Sequence, residues 1–361
     1  MSTAWDLAVF RAHVQDRIDA EIARQRGVLA DLGPDMTRLV DTVAELLSGG
    51  KRLRAAFCHA GYLAGGGTHE QAILSVATAM EMFQAAALLH DDVMDDSATR
   101  RGRATAHRAL AGEHEGSGWI GDADRFGISG AILAGDLCLV WTDEMLAGSG
   151  LPADELARAR AVFDVMRTQL MGGQFLDVLV SARGWDGLGT SERIDQARAV
   201  VRFKSAKYSI EHPLLIGACA AGVGDGDAAL LSDYGLALGE AFQLRDDVLG
   251  VFGDPAATGK PAGDDLREGK RTVLLALTLD GLDEAGRAEL TAGLGRMDLD
   301  AERVEAMRAL VVRSGALERH EAIIAEQTAA ARRALAATDG LSEPGRQALG
   351  ELIELATARS S

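Results

Sequence analysis

Residues 88–102 read LLHDDVMDDSATRRG. Asp91, Asp92, Asp95 and Asp96 crowd together there, and Arg100 and Arg101 follow at once. Asp91 and Asp95 are four positions apart. On a helix their Cα atoms lie about 6 Å apart along the axis, and their side chains share a face. Carboxylates that close repel unless a cation lies between them. A second acidic pair, Asp246 and Asp247, stands in GEAFQLRDDVLGVFGD at 239–254. Asp91, Asp95 and Asp246 together make an all-oxygen donor set with no histidine or cysteine. Such a set suits a hard divalent cation, Mg²⁺ first. Mg²⁺ keeps waters and borrows phosphate oxygens, so few protein ligands suffice.

Cations that could hold phosphate are also present. GGKRLR at 49–54 opens a helical stretch with two glycines, and Lys51 and Arg54 share a face. Lys204 lies in FKSAKY, Lys260 in TGKPAGDD and Lys270 in REGKRT. Any one of these alone is an ordinary solvated lysine. Together, near glycine-rich joints of an acidic chain, they read as anion sites. GGKRLR is not the GxxxxGK[ST] phosphate loop that follows a strand, so nucleotide hydrolysis by that route is not expected.

The elements that must position these groups are helical. Helical periodicity covers 36–48, 52–64, 70–95, 128–148, 153–181, 190–222, 226–252, 264–280, 300–337 and 342–358, with no sustained strand alternation. Pro213 falls inside one segment and predicts a kink. Within 70–95, Ile73, Ala77, Met80, Gln84, Ala87, Asp91 and Asp95 form one stripe. Its first part is core, so Asp91 and Asp95 are expected to point into the bundle. Leu236, Gly239, Gln243, Asp246 and Gly250 form a second stripe, which turns Asp246 inward and leaves Asp247 off it. The joins are short, and one single-domain helical bundle spanning 1–361 is the simplest architecture.

Composition agrees. The 361 residues are 47 % hydrophobic and only 4 % aromatic, with six prolines. The net charge of −17 opposes nonspecific binding to nucleic acid or an anionic membrane. The three cysteines, Cys58, Cys138 and Cys219, form no CxxC pair, which fits reduced thiols and a cytoplasmic location. The first residues carry charge too early for a signal peptide, and no apolar run of about twenty residues stands out as a transmembrane segment.

Five motifs in order, GGKRLR (49–54), LLHDDVMDDSATRRG (88–102), GGQFLD (172–177), FKSAKY (203–208) and FQLRDDVLGVFGD (242–254), resemble those of the trans-isoprenyl diphosphate synthases, the polyprenyl synthetases. The likeness runs from about Leu46 to Ala337 and continues in TGKPAGDDLREGKRT (258–272). It implies an all-α bundle of the isoprenoid-synthase type around a central cavity, in a homodimer. It implies head-to-tail condensation of isopentenyl diphosphate with an allylic diphosphate. Carried over residue by residue, Asp91, Asp95 and Asp246 would hold three Mg²⁺ ions. Lys51, Arg54 and Arg101 would hold isopentenyl diphosphate, with Gln84 standing where many members have a histidine. Arg100, Lys204 and Lys260 would hold the allylic diphosphate. Ser205, Gln243 and Gln174 would lie beside the developing carbocation, and Lys270 would complete a closing tail loop. One departure stands out: the second motif is often DDxxD in the family, and here position 250 is glycine.

Three other readings compete. A class I terpene cyclase binds one diphosphate, which leaves GGKRLR without a task. A noncatalytic subunit of a heteromeric synthase tends to lose aspartates, and here the first motif is whole. A helical Mg²⁺ phosphohydrolase would release diphosphate without needing two prenyl substrates. Product length follows from the helix before Asp91. In short-chain members of the family a bulky ring four or five positions upstream of the first aspartate floors the pocket. Ala87 and Ala86 are small there, and Phe83 is the next bulky side chain, about 12 Å up the helix. Lowering the floor by about 4.5 Å adds about one isoprene unit. The expected product is therefore geranylgeranyl diphosphate, C20.

Overall fold

The computed structural model describes residues 5–253 and 263–357. Among these the only strands are two short ones, and everything else regular is helical. The site is positioned by α3 (Leu53–Ala64), α4 (Glu70–Met94), α7 (Ala153–Arg183) and α10 (Asp225–Phe252). A π-helical stretch, Val201–Glu211, links α8 (Thr190–Val200) to α9 (His212–Ala220). In numbering order the others are α1 (Leu7–Leu29), α2 (Met36–Leu47), α5 (Ala106–Gly116), α6 (Ala123–Ala147), α11 (Asp264–Glu268), α12 (Val273–Gly281), α13 (Glu284–Gly293), α14 (Ala301–Arg313), α15 (Ala316–Ala336) and α16 (Glu343–Thr357).

Most segment boundaries agree with the periodicity, and the differences have local causes. The periodic segments leave out α5, α13 and α1, and the buried face of α1 is the narrow stripe Phe10, Val14, Ile18, Ile22, with charge on the rest. Asp6 caps it by accepting from the amides of Ala8 and Val9. The expected single helix 300–337 is two, because Gly315 takes φ 69° between α14 and α15. Likewise 264–280 divides at Gly269, φ 71°. At Pro213 the helical rod is accommodated by the wider π-helical stretch, which ends just before the proline takes its place in the first turn of α9.

Two apolar clusters hold the bundle. The larger includes Phe57, Tyr62, Phe83, Phe163 and Tyr234, and the smaller Trp185, Leu244, Val251, Leu274 and Leu310. α10 serves both, giving Leu238 and Phe242 to one and Leu244 and Val251 to the other. Two helices, α4 and α6, are long and apolar enough to cross a membrane by length and composition, which the sequence reading did not anticipate. The apolar window of α4 is 78 % buried within the protein and that of α6 39 %. α4 therefore spends its apolar character on the core.

Candidate active site

The last turns of α4 carry the first acidic motif out of this core. Asp91 accepts from Gln174 Nε2 at 2.9 Å and from Lys204 Nζ at 3.0 Å, and Arg100 lies 3.7 Å away. Three elements thus converge on one carboxylate: α7, the π-helical stretch and the hairpin after α4. The convergence depends on Gly173. A Cβ there would stand 2.5 Å from Phe203 C and 2.6 Å from Lys204 N, so only glycine lets α7 lie against the backbone that bears Lys204. Burial opposes the charge of Asp91, but Lys204, Lys270 and Arg100 outweigh it and hold its pKa at about 2. Asp95 behaves oppositely: burial and the neighbouring Asp91 raise it to about 6. One turn apart on α4, the two carboxylates thus have pKa values pushed in opposite directions.

Cations of the protein lie against them. Lys204 Nζ is 2.5 Å from Asp177 as well as 3.0 Å from Asp91. Lys270 Nζ is 2.8 Å from Glu268, and 3.8 Å from both Asp95 and Asp265. Burial disfavours the charge on Lys270, yet Asp265, Glu268, Asp95 and Asp91 raise its pKa well above the ordinary lysine value. Lys270 therefore reaches from α4 to the segment that follows α10.

The second motif differs from its expected phase. Asp247 is 5 % exposed, whereas Asp246 is exposed. The stripe that placed Asp246 inside and Asp247 off it is corrected: the buried face of α10 runs through Leu244, Asp247 and Val251, and Asp246 lies on the exposed side. Gln243 Nε2 donates to Asp247 Oδ1 at 2.9 Å, while Asp247 Oδ2 is buried with no hydrogen-bond partner. Burial, Asp265 and Asp246 raise the Asp247 pKa well above the carboxylate range. Lys260 lies outside the described residues.

GGKRLR sorts into two functions. Arg52 is structural: it is 5 % exposed, takes φ 53° at the start of α3, and binds Glu81 at 3.5 Å, Gln15 at 2.5 Å and the Leu47 carbonyl. Glu81 also accepts from the Ala55 amide at 3.1 Å, fixing the first turn of α3. Lys51 is exposed. Arg54 donates to Ser209 Oγ at 2.7 Å and lies 4.2 Å over the Tyr208 ring. Arg101 approaches this loop from the hairpin β1 (Thr99–Arg100) and β2 (Arg103–Ala104), donating to the Leu46 carbonyl at 3.3 Å beside Gly50. Its turn, Arg101–Gly102, has φ 52° and 74°, as a tight antiparallel hairpin requires. Burial of its head and the cations Arg100, Arg52 and Arg54 lower its pKa. Cations this crowded favour an anion.

Gln84 is half-buried on α4 with no side-chain partner among the described residues, and Ser205 is buried on the π-helical stretch. His90 bonds the Ile132 carbonyl of α6 at 3.1 Å, a structural role. Sequence reading missed Asp92, Asp177, Glu81 and Asp265. Asp92, 3 % exposed, accepts from Arg100 Nε at 2.9 Å on both oxygens and so holds that guanidinium beside Asp91. Its position next to Asp91 was visible; its partner, eight residues on across a hairpin, was not. Below the carboxylates, Phe83 packs edge-on against Phe163 at 5.6 Å and Tyr208 at 5.9 Å, an aromatic layer beneath buried Ala86.

The donor set is all oxygen, and the orphaned Asp247 Oδ2 and the repelling Asp91–Asp95 pair both fit a divalent cation. As they stand, no three acidic, histidine or cysteine side chains among the described residues form a closed metal cage.

A helical bundle with two acidic motifs beside segregated cation clusters defines an enzyme fold of the isoprenoid-synthase class. Residues 36–311 match the polyprenyl synthetase family model, and the chain belongs to that family. It is similar to the geranylgeranyl pyrophosphate synthase of Corynebacterium glutamicum, whose structure was solved with isoprenyl diphosphate and magnesium. That likeness has 40 % identity and a TM-score of 0.92, over 99 % of this chain and 100 % of that one. It is 31 % identical to the geranylgeranyl diphosphate synthase of Mycobacterium tuberculosis over 90 % of this chain and 91 % of that protein. Identity is also 31 % to the geranylfarnesyl diphosphate synthase of Aeropyrum pernix, over 86 % of this chain and 91 % of that protein.

Proposed function

We propose that the protein is a Mg²⁺-dependent trans-prenyltransferase that joins isopentenyl diphosphate head-to-tail to an allylic diphosphate (dimethylallyl, geranyl or farnesyl), with geranylgeranyl diphosphate as main product. The observation that carries the reading is the segregation of cations. Lys51, Arg54 and Arg101 gather at the start of α3, while Arg100, Lys204 and Lys270 gather on the aspartates. Two anion sites flank one acidic pair, as a reaction of two diphosphates needs. A cyclase has no use for the first group. Asp91, Asp95 and Asp246 would hold Mg²⁺, which when bound neutralises the leaving diphosphate.

The other roles belong to the chain's own side chains. Arg54 leaves Ser209 to bind isopentenyl diphosphate with Lys51, Arg101 and Gln84. Arg100 and Lys204 orient the allylic diphosphate, with Lys260 as an expected further contact. Gln174 and Gln243 each donate their amide NH₂ to a carboxylate, leaving their carbonyl oxygens as negative dipoles for a cation, with Ser205 nearby. The apolar wall of α4 excludes water and receives the growing chain.

The whole chain acts as one catalytic domain, which the service of α10 to both apolar clusters supports. The exposed Phe126, Ile128, Ile132, Leu133 and Val140 of α6 support a homodimer. Free cysteines support a cytoplasmic location. The test is chromatography of products from isopentenyl diphosphate with each allylic primer, with and without Mg²⁺. C20 product formed only with Mg²⁺ and both substrates is expected. Diphosphate release from a single substrate would overturn the reading.

A further inference from the structure

The loop that opens α3 has an unfavourable backbone. Gly49, Gly50 and Arg52 take φ 72°, 111° and 53°, the left-handed region that an arginine rarely adopts. Such a conformation persists only where its surroundings hold it. Lys51 stands between Gly50 and Arg52, so the direction in which its side chain leaves the loop is set by theirs.

Part of the hold comes from α1, which lies outside the residues 36–311 that match the family model. Gln15 Oε1 accepts from the Gly49 amide at 3.4 Å and from Arg52 Nη2 at 2.5 Å. Gln15 Nε2 donates to Asp19, one turn on, at 2.8 Å, which turns the amide oxygen toward the loop. Arg11 is one turn before Gln15 on the same face of α1. Its Nε donates to the Lys51 carbonyl at 3.0 Å. A trans peptide carries its N–H opposite its carbonyl, so this bond fixes the plane of the Lys51–Arg52 peptide and with it the left-handed turn at Arg52. α1 is itself docked on the bundle. The Phe10 ring lies 4.9 Å from that of His59 on α3, and Arg17 donates to Ser75 Oγ and Gln71 Oε1 on α4, both at 2.7 Å. Glu81 of α4 and two side chains of α1 thus hold the loop between them.

We propose that Arg11 and Gln15 are positioning residues for isopentenyl diphosphate: they hold the 49–52 backbone in the form that presents Lys51 and Arg54 to that diphosphate. The inference rests on the synthase reading above and adds to it a helix that carries none of the motifs. Its effect is confined to one substrate. Asp91, Lys204 and Arg100 are held by α7, the π-helical stretch and the hairpin after α4, so the allylic site does not depend on α1.

The test is calorimetric titration of the full chain with isopentenyl diphosphate alone and, separately, with geranyl diphosphate and Mg²⁺, so that nothing turns over. Gln15→Leu and Arg11→Met are each expected to weaken isopentenyl diphosphate binding by about 10-fold, the scale of one charge-assisted hydrogen bond, and to leave geranyl diphosphate binding unchanged. Gln15→Glu keeps the acceptor and Arg11→Lys keeps a donor, so both are expected to bind more tightly than Gln15→Leu and Arg11→Met. Arg17→Met cuts the bonds of α1 to α4 but none to the loop, and is expected to bind both substrates as the parent does. Unfolding curves identify any variant that fails to fold; Arg11 is half-buried and gives up one bond, so Arg11→Met carries the test where Gln15→Leu does not fold. If Arg11→Met binds isopentenyl diphosphate as the parent does, if it weakens both substrates alike, or if Arg17→Met weakens isopentenyl diphosphate as much, the assignment is overturned and the synthase reading stands. If the parent itself binds no isopentenyl diphosphate, both fall.

Discussion

Substituting the aromatic layer beneath Asp91 should change product length by whole isoprene units. α4 rises about 1.5 Å per residue, which places Ala86 about 7.5 Å, Phe83 about 12 Å and Met80 about 16.5 Å from Asp91 along the axis. Each step is about 4.5 Å, and an extended isoprene unit is about 5 Å. Ala86 is buried directly above the layer, so Ala86→Phe should raise the floor by one unit and give C15. Phe83→Ala should lower it by one unit toward C25. Phe163 and Tyr208 remain at the level of Phe83, so a C20 and C25 mixture is expected, shifting further to C25 when Tyr208→Ala is added. Removing a buried ring also costs about 3–5 kcal/mol of stability, so lengths are compared below the unfolding temperature of each variant. The assay is chromatography of dephosphorylated products from geranyl diphosphate and isopentenyl diphosphate. Parent-length product from both Ala86→Phe and Phe83→Ala would refute the floor and the C20 argument with it.

Asp91→Ala should lower turnover by about 10²–10³-fold, read in steady-state assays with EDTA-treated controls; full activity would remove the metal reading. Arg54→Ala should raise the KM for isopentenyl diphosphate more than that of the primer, and the reverse pattern would exchange the two sites. Asp92→Asn removes the hydrogen-bonded counter-charge of Arg100 and leaves Asp91, 3.7 Å away, as its nearest one, so a loss of stability below the roughly 3–5 kcal/mol of a fully broken buried pair is expected in denaturant unfolding, with a raised allylic KM. In metal-free protein, Asp95 keeps its proton up to about 6, against about 4 when unfolded. Folding stability from this group therefore falls as pH rises through that window. The gain in melting temperature of Asp95→Asn over the parent should grow between pH about 4 and 6, and a flat difference would contradict the raised pKa.

The parts of this site that were legible in the sequence are those fixed by helical repeat within one element. Asp91 and Asp95 lie four apart on an apolar stripe, and the structure places both beside cations at the end of the core. Lys51 and Arg54 were separable from Arg52 by their shared helix face, but that Glu81, on another helix, holds Arg52 was not legible. The illegible parts are pairings across elements. Asp92 with Arg100 spans a hairpin, and Lys204 with Asp177 spans two helices. Periodicity also failed on α10, because the stripe chosen there started from Leu236, which is only half-buried. The buried repeat runs instead through Leu238, Ala241, Leu244, Asp247 and Val251, which puts Asp247 inside and leaves Asp246 exposed.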